Sequence, residues 1–392
     1  MSKTKWYTKS IYLLVAVALV LCLAIVAVPM AGTVEANSIT WTEYADNPVF
    51  GGINRAYYPC VLGVDGTYHM WYTDQDGGNY QVGYTTSANG TNWSPPTMVT
   101  GLTGAPNHVV VVNIGTETLP HYRIWYANAT VWPYDVDLLR TAESYNGINW
   151  VNDGPILQTS PLIRVDDSGD LAYKWLYGSY GPGAVLYNPE GYDSLNEPDP
   201  MGNKYVMYYD EYTRYGLTGV NEVTMLAISA DGISWTRYGD APVLNATGGS
   251  TAWDAQYAYG WTVLKVSDGY HMWYSGGIAD SNDGIGYAYS VDGLTWIKEP
   301  NPVLHVNDVG APAWRQQRTY TPNVIKEGNT YKMWFSGVGS HYSIGYATAA
   351  PHPVGGEAYP IDRTVVLVPW LALLPGITAG AVIVLKRHRV HS

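Results

Sequence analysis

The chain has 392 residues, among them 35 Tyr, 16 Trp and only 2 Phe, and its formal net charge is −12. This acidic balance argues against a nucleic-acid-binding protein, because such proteins concentrate positive charge on one face. The surplus of Tyr and Trp is typical of a β-rich core. It also suits a site that stacks on sugars while offering hydrogen bonds.

The N-terminal segment has the order of residues found in exported proteins. Lysines precede an uncharged apolar run from Ile11 to Val28, and small residues follow at Val34 and Ala36. This order predicts a secretory signal peptide over residues 1–36. The run is also long enough for an uncleaved anchor. Under either interpretation, the chain that follows lies outside the cytoplasm.

The C-terminal segment contains a second apolar run, residues 364–385, followed by a basic tail at 386–392. The run is long enough to cross a bilayer as a helix, and positive residues stay on the cytoplasmic side. We therefore expect a transmembrane helix here, joined by a linker at 351–363 to an outward-facing domain at 37–350. The sequence predicts a cell-surface protein anchored in the membrane.

One aromatic motif of the YxMWY type recurs along the domain. Its copies begin at Tyr68, Tyr122, Tyr205, Tyr270 and Tyr331. The aromatic content and alternation of each copy predict a β-strand. A second strand follows each copy, and four of these second strands end in an Asn-Gly or Asp-Gly turn and a Trp. Such turns are typical of tight hairpins.

A fourth strand is predicted from an x-P-[VI]-L pattern, as in Gly154 to Leu157. The fifth repeat stops at Ala349 without this strand, but Trp41 to Phe50 supplies the missing Trp and NPV pattern from the other end of the chain. Such circular closure removes exposed sheet edges. The sequence therefore predicts an all-β fold, a five-bladed β-propeller of four-stranded antiparallel blades.

The motifs YxMWYSG, IGYAxSxDGxxW and NPVL together resemble the five-bladed propellers of the furanosidase superfamily, which includes glycoside hydrolase families 43, 32, 62 and 130. The resemblance covers residues 38–349 and implies a carbohydrate-active protein that takes a glycan or polysaccharide. In proteins similar to family 43, the catalytic base is an Asp just before the inner-strand Pro. The matching positions here carry no carboxylate. They are Tyr58, Asn107, Gly181, Gly260 and Thr321.

Glycoside hydrolysis needs two carboxyl groups facing each other across the scissile bond. The loops entering the inner strands, and those between second and third strands, are expected on one face of the ring. On that face the predicted catalytic candidates are Asp254, before the fourth inner strand, and Asp210 with Glu211, at the end of a strand of the third repeat. The alternative for each is an ordinary solvated acid.

The predicted substrate-binding residues are Arg55, Arg318, Asp74, Trp253 and Trp314. Arg55 and Arg318 occupy equivalent places in two repeats, and two converging guanidinium groups suit a carboxylate, a sulfate or a polar sugar. Pairing with acids of neighbouring blades is the alternative for the arginines. The two tryptophans are either stacking platforms or wedges between blades.

Other ligands and partners are less clearly indicated. Asp74 to Gly77 and Asp280 to Gly284 resemble calcium-binding loops in composition. They lack the distal Glu of an EF-hand, however, and tight turns explain them equally well. We predict no cofactor and no metal site, and a monomer. Two functions remain open, namely a glycosidase-like enzyme and a noncatalytic propeller that binds glycans or a surface protein.

Overall fold

The computed structural model describes most of the domain between the two apolar segments. The described residues are 39–128, 139–158, 179–191, 203–213, 221–239, 241–249, 251–278 and 283–350. The predicted signal peptide, linker, transmembrane helix and basic tail lie outside these ranges. No helix within the described ranges is long and apolar enough to cross a membrane.

The described chain is all-β, as predicted, and its strands form antiparallel units of four. β1 (Thr42–Glu43) precedes sheet 1, which contains β2 (Ala56–Val64), β3 (Thr67–Asp76), β4 (Asn79–Ser87) and β5 (Thr97–Met98). Sheet 2 contains β6 (Pro106–Asn113), β7 (Tyr122–Asn128), β8 (Leu139–Ser144) and β9 (Val151–Pro155).

A two-residue strand, β10 (Leu157–Gln158), pairs in parallel with β14 of the next sheet. Sheet 3 contains β11 (Ser179–Tyr187), β12 (Tyr205–Thr213), β13 (Asn221–Ser229) and β14 (Ser234–Arg237). Sheet 4 contains β15 (Tyr257–Val266), β16 (Gly269–Gly277), β17 (Gly284–Ser290) and β18 (Ile297–Lys298), and β19 (Leu304–His305) also pairs with β17. A 3-10 helix, Ala313–Arg315, precedes sheet 5, which contains β20 (Arg318–Glu327), β21 (Thr330–Val338) and β22 (Tyr342–Ala349).

The first strands of the sheets contact one another in sequence order. β2 contacts β6, β6 contacts β11, β11 contacts β15, β15 contacts β20, and β20 contacts β2. A cavity of about 360 Å³ is lined by residues from all five of these strands. The first strands therefore surround a central channel, and the other strands lie further out.

The core tryptophan of the YxMWY motif connects three of the five sheets to a neighbouring sheet. Trp71 Nε1 donates to the carbonyl of Gly147 at 2.7 Å, and Trp125 Nε1 donates to that of Gly232 at 2.9 Å. Trp334 Nε1 donates to Gly90 at 2.7 Å, which joins the last sheet to the first. In sheet 3 the equivalent contact is made by Tyr208, whose hydroxyl donates to the carbonyl of Gly293 at 2.9 Å.

The turns that accept these bonds are held by a local serine and by an Asn or Asp. In one turn Ser144 Oγ accepts from the Gly147 amide at 2.9 Å, and Asn146 Oδ1 accepts from the Asn149 amide at 2.8 Å. Gly147 has φ +74°, and an added Cβ would lie 2.7 Å from the ring of Trp71. The turn therefore requires glycine for two reasons, the left-handed backbone and the close approach of the indole.

The predicted pairing of the N-terminal strand with the last sheet is confirmed. Thr42 pairs with Thr348, and the Val49 amide donates to the carbonyl of Ile344 at 2.9 Å. The buried Arg315 also holds the N-terminal strand through a bidentate ion pair, in which its Nε and Nη2 donate to the two carboxylate oxygens of Glu43. Bidentate pairs of this kind fix orientation as well as adding energy.

The predicted proline-containing segments pair at the outer edges of their sheets. Pro155 of β9 pairs with Arg140, Leu304 of β19 pairs with Ile285, and Leu244 forms a bridge with Thr224. Residues just after the turn tryptophan also pair at this edge, as in β14 and β18. Val243 donates to the carbonyl of Thr224 at 2.8 Å, and Val303 donates to that of Ile285 at 2.7 Å. A proline removes one backbone donor, which suits an edge and not a long ladder.

We expect the bond between indole and turn to carry measurable stability. Trp71→Phe removes the donor and leaves the buried Gly147 carbonyl without its partner, at a cost of about 1–3 kcal/mol beyond lost packing. Trp273→Phe is the matched control, because Trp273 occupies the same place in sheet 4 and its Nε1 has no acceptor among the described residues. Urea unfolding measures both changes, and equal losses of unfolding free energy would contradict this role of the indole.

Candidate functional site

Aromatic side chains from several first strands pack against one another beside the central channel. Tyr58 stacks on Trp261 with ring centroids 5.0 Å apart, and His108 meets Tyr58 edge-on at 4.1 Å. All three side chains are buried. Burial lowers the pKa of His108 to about 3, so the imidazole is neutral at physiological pH. The channel is thus closed at this level by uncharged rings.

The strand register shows which residues of the five first strands are equivalent. One residue in each strand lies opposite the residue after the core Trp or its equivalent, at or beside an irregularity in the pairing. These residues are Tyr58, His108, Pro182, Gly260 and Thr321. In this register His108 and Pro182, and not Asn107 and Gly181, are equivalent to Tyr58, Gly260 and Thr321. None of these residues carries a carboxylate.

Three of these residues adopt a left-handed backbone. Tyr58, His108 and Thr321 have φ values of 55°, 51° and 49°. Side-chain hydroxyls of the preceding sheet hold the backbone in this conformation, because the Tyr58 amide donates to Ser336 Oγ at 2.9 Å and the Thr321 amide donates to Ser275 Oγ at 2.8 Å. Non-glycine residues with such φ values are costly and recur at functional sites.

A pair of buried carboxyl groups lies beside this aromatic cluster. Asp210 on β12 and Glu222 on β13 are diagonal neighbours on one face of sheet 3, because Asp210 pairs with Thr224 and Tyr212 pairs with Glu222. The two residues are 2% and 4% exposed, and each side chain perturbs the pKa of the other, so the two carboxyl groups lie close together. Two adjacent buried carboxyl groups cannot both be ionised without a large cost, so one of them keeps a proton.

The environment of the pair favours keeping that proton. Burial raises the pKa of Asp210, partly offset by hydrogen bonds from Glu222 and from the Gly181 amide, which is 2.5 Å from Asp210 Oδ1. Burial and the neighbouring Asp210 charge raise the pKa of Glu222 well above its usual value. Both pKa values are raised, so the pair keeps a proton at neutral pH. Strongly shifted carboxyls in a buried position are typical of catalytic acids.

Aromatic and cationic groups connect the pair to the centre of the ring. Burial raises the pKa of Tyr259 well above 10, and the charges of Glu222 and Asp210 act in the same direction. Tyr259 belongs to one aromatic cluster with Tyr320. Burial acts against the charge of Arg318, but Coulombic interaction with tyrosines, Tyr320 and Tyr259 among them, raises its pKa.

The predicted catalytic residue Asp254 is held by an ion pair and a hydrogen bond within its own sheet. It is buried, and its Oδ2 accepts from Lys298 Nζ at 2.7 Å and from the Tyr274 hydroxyl at 3.0 Å. Burial and the Asp254 charge raise the pKa of Tyr274 well above its usual value. These partners belong to sheet 4, so Asp254 ties the segment before β15 to its own sheet.

Glu211, also predicted as catalytic, lies on the other face of β12 from Asp210. Its carboxylate is 0% exposed and its Oε2 accepts from Arg237 Nη1 at 2.7 Å. Removing one partner of a fully buried ion pair lowers the free energy of unfolding by about 3–5 kcal/mol, because the other charge stays buried without a partner. Glu211 is therefore a structural residue of sheet 3. Of the three predicted acids, Asp210 alone joins the central site.

Asp74 is a loop anchor within sheet 1. Its Oδ2 accepts from the amides of Ile53 at 2.9 Å and Asn54 at 3.1 Å, and its Oδ1 accepts from Asn54 Nδ2 at 2.6 Å. Its oxygens are thus engaged by the protein. Within the described residues no cluster of three or more His, Cys, Asp or Glu side chains is arranged to hold a metal ion.

Of the remaining predicted binding residues, the two tryptophans pack against aromatic neighbours, and Arg55 lies at the surface. Trp253 stacks on Tyr274, with centroids 5.7 Å apart, and acts as a wedge inside sheet 4. Trp314 packs against Phe335 at 5.5 Å and also lines a surface cavity. Arg55 is exposed and lies over the ring of Tyr342, its Cζ 5.5 Å from the ring centroid.

Comparison with solved structures supports the fold. A family 130 protein, from a group of mannoside phosphorylases and hydrolases that target β-1,2-mannosidic linkages in Candida mannan, is 16% identical and covers 83% of this chain and 98% of its own, with TM-score 0.58. A glycosyl hydrolase from Bacteroides ovatus is 16% identical, covers 82% and 97%, and has TM-score 0.57. A β-1,2-mannobiose phosphorylase from Listeria innocua is 14% identical, covers 79% and 96%, and has TM-score 0.53.

Sequence comparison finds similarity over a smaller part of the chain. No protein-family model matches the chain. An uncharacterized protein of Mycobacterium tuberculosis strain H37Rv is 27% identical over 158 residues, which is 38% of this chain and 48% of that protein. The chain spans about half the length of the curated relatives it matches. The structural likeness therefore shows a glycoside hydrolase-like fold.

Sequence reasoning missed Glu222, His108 and Trp261. Glu222 was detectable in principle, because the hairpin partner of a motif strand is known once its turn is placed. Aligning Asp210 with Thr224 puts Glu222 on the same face. His108 was missed because the pairing irregularity shifts this strand by one residue. Nothing in the pattern of Trp261 distinguishes it from the many core tryptophans.

We expect the carboxyl pair to make stability depend on pH. Both folded-state pKa values lie above those of an unfolded chain. The folded state therefore holds protons at this pair that the unfolded state releases, so the contribution of the pair to the unfolding free energy falls as pH rises from about 5 to about 8. The buried neutral His108 gives the opposite slope below about pH 6.5, and comparison with the variant separates the two effects. In Glu222→Gln the fall is smaller, as urea unfolding at each pH would measure. An unchanged slope in the variant would contradict the assignment.

Proposed function

We propose that the five sheets are the blades of a five-bladed β-propeller, and that this protein binds glycans at the centre of the ring. The circular contacts between first strands and the bond from the last sheet to the first support the propeller. Solved neighbours that act on β-linked mannosides support the glycan. Aromatic rings beside a guanidinium group supply the stacking and hydrogen bonding that sugars need.

The chemistry we propose is acid-assisted cleavage of a glycosidic bond. The observation that carries it is the buried pair of Asp210 and Glu222, which keeps a proton at neutral pH. A neutral carboxylic acid can protonate the oxygen of the leaving sugar as the C–O bond breaks, while a water molecule adds to the anomeric carbon and returns a proton to the pair, which completes hydrolysis. Glu222 is the proposed donor. Asp210 positions the proton and is itself held by the Gly181 amide.

Noncatalytic glycan binding is the second candidate, and a specific observation favours it. The positions of the family base hold aromatic, aliphatic or small residues. Asp254 and Glu211, two further acids considered for catalysis, are engaged in ion pairs. Binding at the central aromatic cluster requires neither a base nor a proton donor. The two candidates therefore share a ligand and differ in turnover.

Mutation of the acid pair separates these candidates. We expect Glu222→Gln to lower turnover of an active aryl glycoside or polysaccharide by about 10²–10⁴-fold, the usual contribution of a general acid, while binding of the same glycan is retained. Glu117→Gln is the matched control, because Glu117 lies in the exposed turn between β6 and β7. Full activity in Glu222→Gln would contradict the proposed acid. Binding without turnover in the wild type would support the second candidate.

The proposed location is the outer surface of the cell. The sequence pattern of residues 1–36 supports export, and the apolar run at 364–385 with its basic tail supports anchoring. The domain would then meet glycans outside the cytoplasm. A glycan partner and a membrane partner are thus both part of the proposal, with the chain as a monomer.

Truncation tests the anchor. A chain that ends at residue 350 lacks the second apolar run and is expected in the medium or the soluble periplasmic fraction, whereas the full chain sediments with membranes. Extraction of the full chain by detergent but not by high salt or carbonate is the expected companion result. N-terminal sequencing of the truncated chain shows whether residues 1–36 have been removed, and sedimentation of the cleaved, truncated chain with membranes would contradict anchoring through the C-terminal segment.

A further inference from the structure

A second cavity opens at the boundary between sheet 5 and the segment that leads into sheet 1. Its volume is about 370 Å³, which is within the range of small-ligand pockets. Three parts of the chain line it, namely Pro48, Gly51 and Asn54 before β2, Trp314 before β20, and residues 340–343 around the start of β22. The cavity therefore lies at the closure, where the N-terminal segment meets the last sheet.

The lining combines aromatic rings with uncharged hydrogen-bonding groups. Trp314 and Tyr342 supply the rings, and Asn54, Ser340 and His341 supply amide, hydroxyl and imidazole groups. None of the lining residues is Asp, Glu, Lys or Arg. Ligand pockets commonly join apolar and aromatic surface to a few polar groups that fix the orientation of the ligand. An uncharged molecule with an apolar face and several hydroxyl groups, such as a sugar, fits this lining.

The two charged groups next to the lining have opposite signs. Arg55 lies over the ring of Tyr342, with its Cζ 5.5 Å from the ring centroid. Asp74 Oδ1 accepts from Asn54 Nδ2 at 2.6 Å. Neither charged residue lines the cavity, and their charges offset one another. The site therefore favours a neutral ligand.

Trp314 is held in place by glycines of sheet 5. Its six-membered ring lies against Gly337 on β21 and Gly345 on β22, where an added Cβ would overlap the ring. The indole also packs against Phe335, with centroids 5.5 Å apart. Trp314 is nevertheless only half-buried, so the sheet fixes the orientation of the indole and leaves part of its surface to the cavity. A ring that is already ordered loses little conformational entropy when a ligand binds.

The cavity lies at the same end of the sheets as the buried acid pair. Asp210 is near the end of β12 and Glu222 near the start of β13, the second and third strands of sheet 3. The cavity is lined by the connection between the second and third strands of sheet 5. Tyr342 packs on Tyr57 with centroids 5.3 Å apart, and Tyr57 packs on Tyr58 at 4.6 Å. A path of rings thus leads from the cavity to the central aromatic cluster.

We propose that this cavity is a distal subsite for a neutral sugar residue of a glycan chain that continues to the centre of the ring. Trp314 contacts the apolar face of the sugar, and Asn54, Ser340 and His341 form hydrogen bonds with its hydroxyl groups. This inference rests on the proposed glycan function and names its substrate class. That class is an uncharged oligosaccharide or polysaccharide, long enough to occupy the cavity and the centre together.

Chain length tests the inference on the full-length protein. The probes are β-1,2-linked mannooligosaccharides from the disaccharide to the hexasaccharide, an uncharged series with the linkage named for two of the solved neighbours. Isothermal titration calorimetry measures each affinity. We expect the hexasaccharide to bind at least about 10-fold more tightly than the disaccharide, because a sugar in the distal subsite adds ring contacts and hydrogen bonds.

Filling the cavity removes this gain. Gly51 lines the cavity, and a Cβ added there meets no atom within 4 Å, so Gly51→Phe places a ring in open space. We expect the variant to bind the disaccharide as the wild type does and to lose the gain of about 10-fold with chain length. Gly78→Phe is the matched control, because Gly78 is equally open and exposed in the turn between β3 and β4 and does not line the cavity.

A second pair of variants makes the test independent of Gly51. Trp253 packs on Gly276 of sheet 4 as Trp314 packs on Gly337 of sheet 5, but Trp253 does not line this cavity. Trp314→Phe and Trp253→Phe therefore lose similar packing. Only Trp314→Phe is expected to reduce the gain in affinity with chain length.

Each outcome decides a separate point. Loss of the gain in Gly51→Phe and Trp314→Phe, with both controls like the wild type, supports the distal subsite. Equal affinity of the wild type for the disaccharide and the hexasaccharide, or a gain that persists in Gly51→Phe, would overturn the subsite and leave the proposed glycan function standing. Binding of no member of the series would overturn both.

Discussion

The structure depends on one repeated contact, the hydrogen bond from a core indole of one sheet to a turn carbonyl of the next. Trp71 makes it to Gly147, and Trp334 makes it across the closure to Gly90. The contact explains why aromatic strands and glycine turns recur together, since each residue type would leave a buried polar group unpaired without the other. By fixing the sheets to one another, it directs every first strand towards the same channel.

That arrangement determines which side chains can perform chemistry. The left-handed positions of the first strands bring Tyr58 and His108 to the channel, where burial keeps the imidazole neutral. Glu222 and Asp210 lie just beside these rings in the same low-dielectric region, which disfavours two negative charges. The neutral imidazole and the retained proton therefore have one cause, the burial of these side chains beside the channel.

Repeats, turns and closure were predictable because they rest on local patterns with a fixed period. Trp41 to Phe50 could be placed on the last sheet since only that sheet lacked its edge. The site was less predictable, because an acid at the end of a strand looks the same whether it meets a cation or another acid. Asp254 meets Lys298, Glu211 meets Arg237 and Asp210 meets Glu222. Lys298 and Arg237 come from short edge strands whose register no single-sequence pattern specifies, whereas Glu222 could be placed only after the hairpin turn of its strand was known.

The central claim is that Glu222 keeps a proton at neutral pH beside Asp210. Infrared difference spectroscopy between wild type and Glu222→Gln observes the carbonyl stretch of a protonated, buried carboxylic acid directly. We predict this band in the wild type at pH 7 and its loss in the variant. A wild-type spectrum at pH 7 that shows only ionised carboxylates would contradict the account, because two adjacent charges would then be buried without the shared proton.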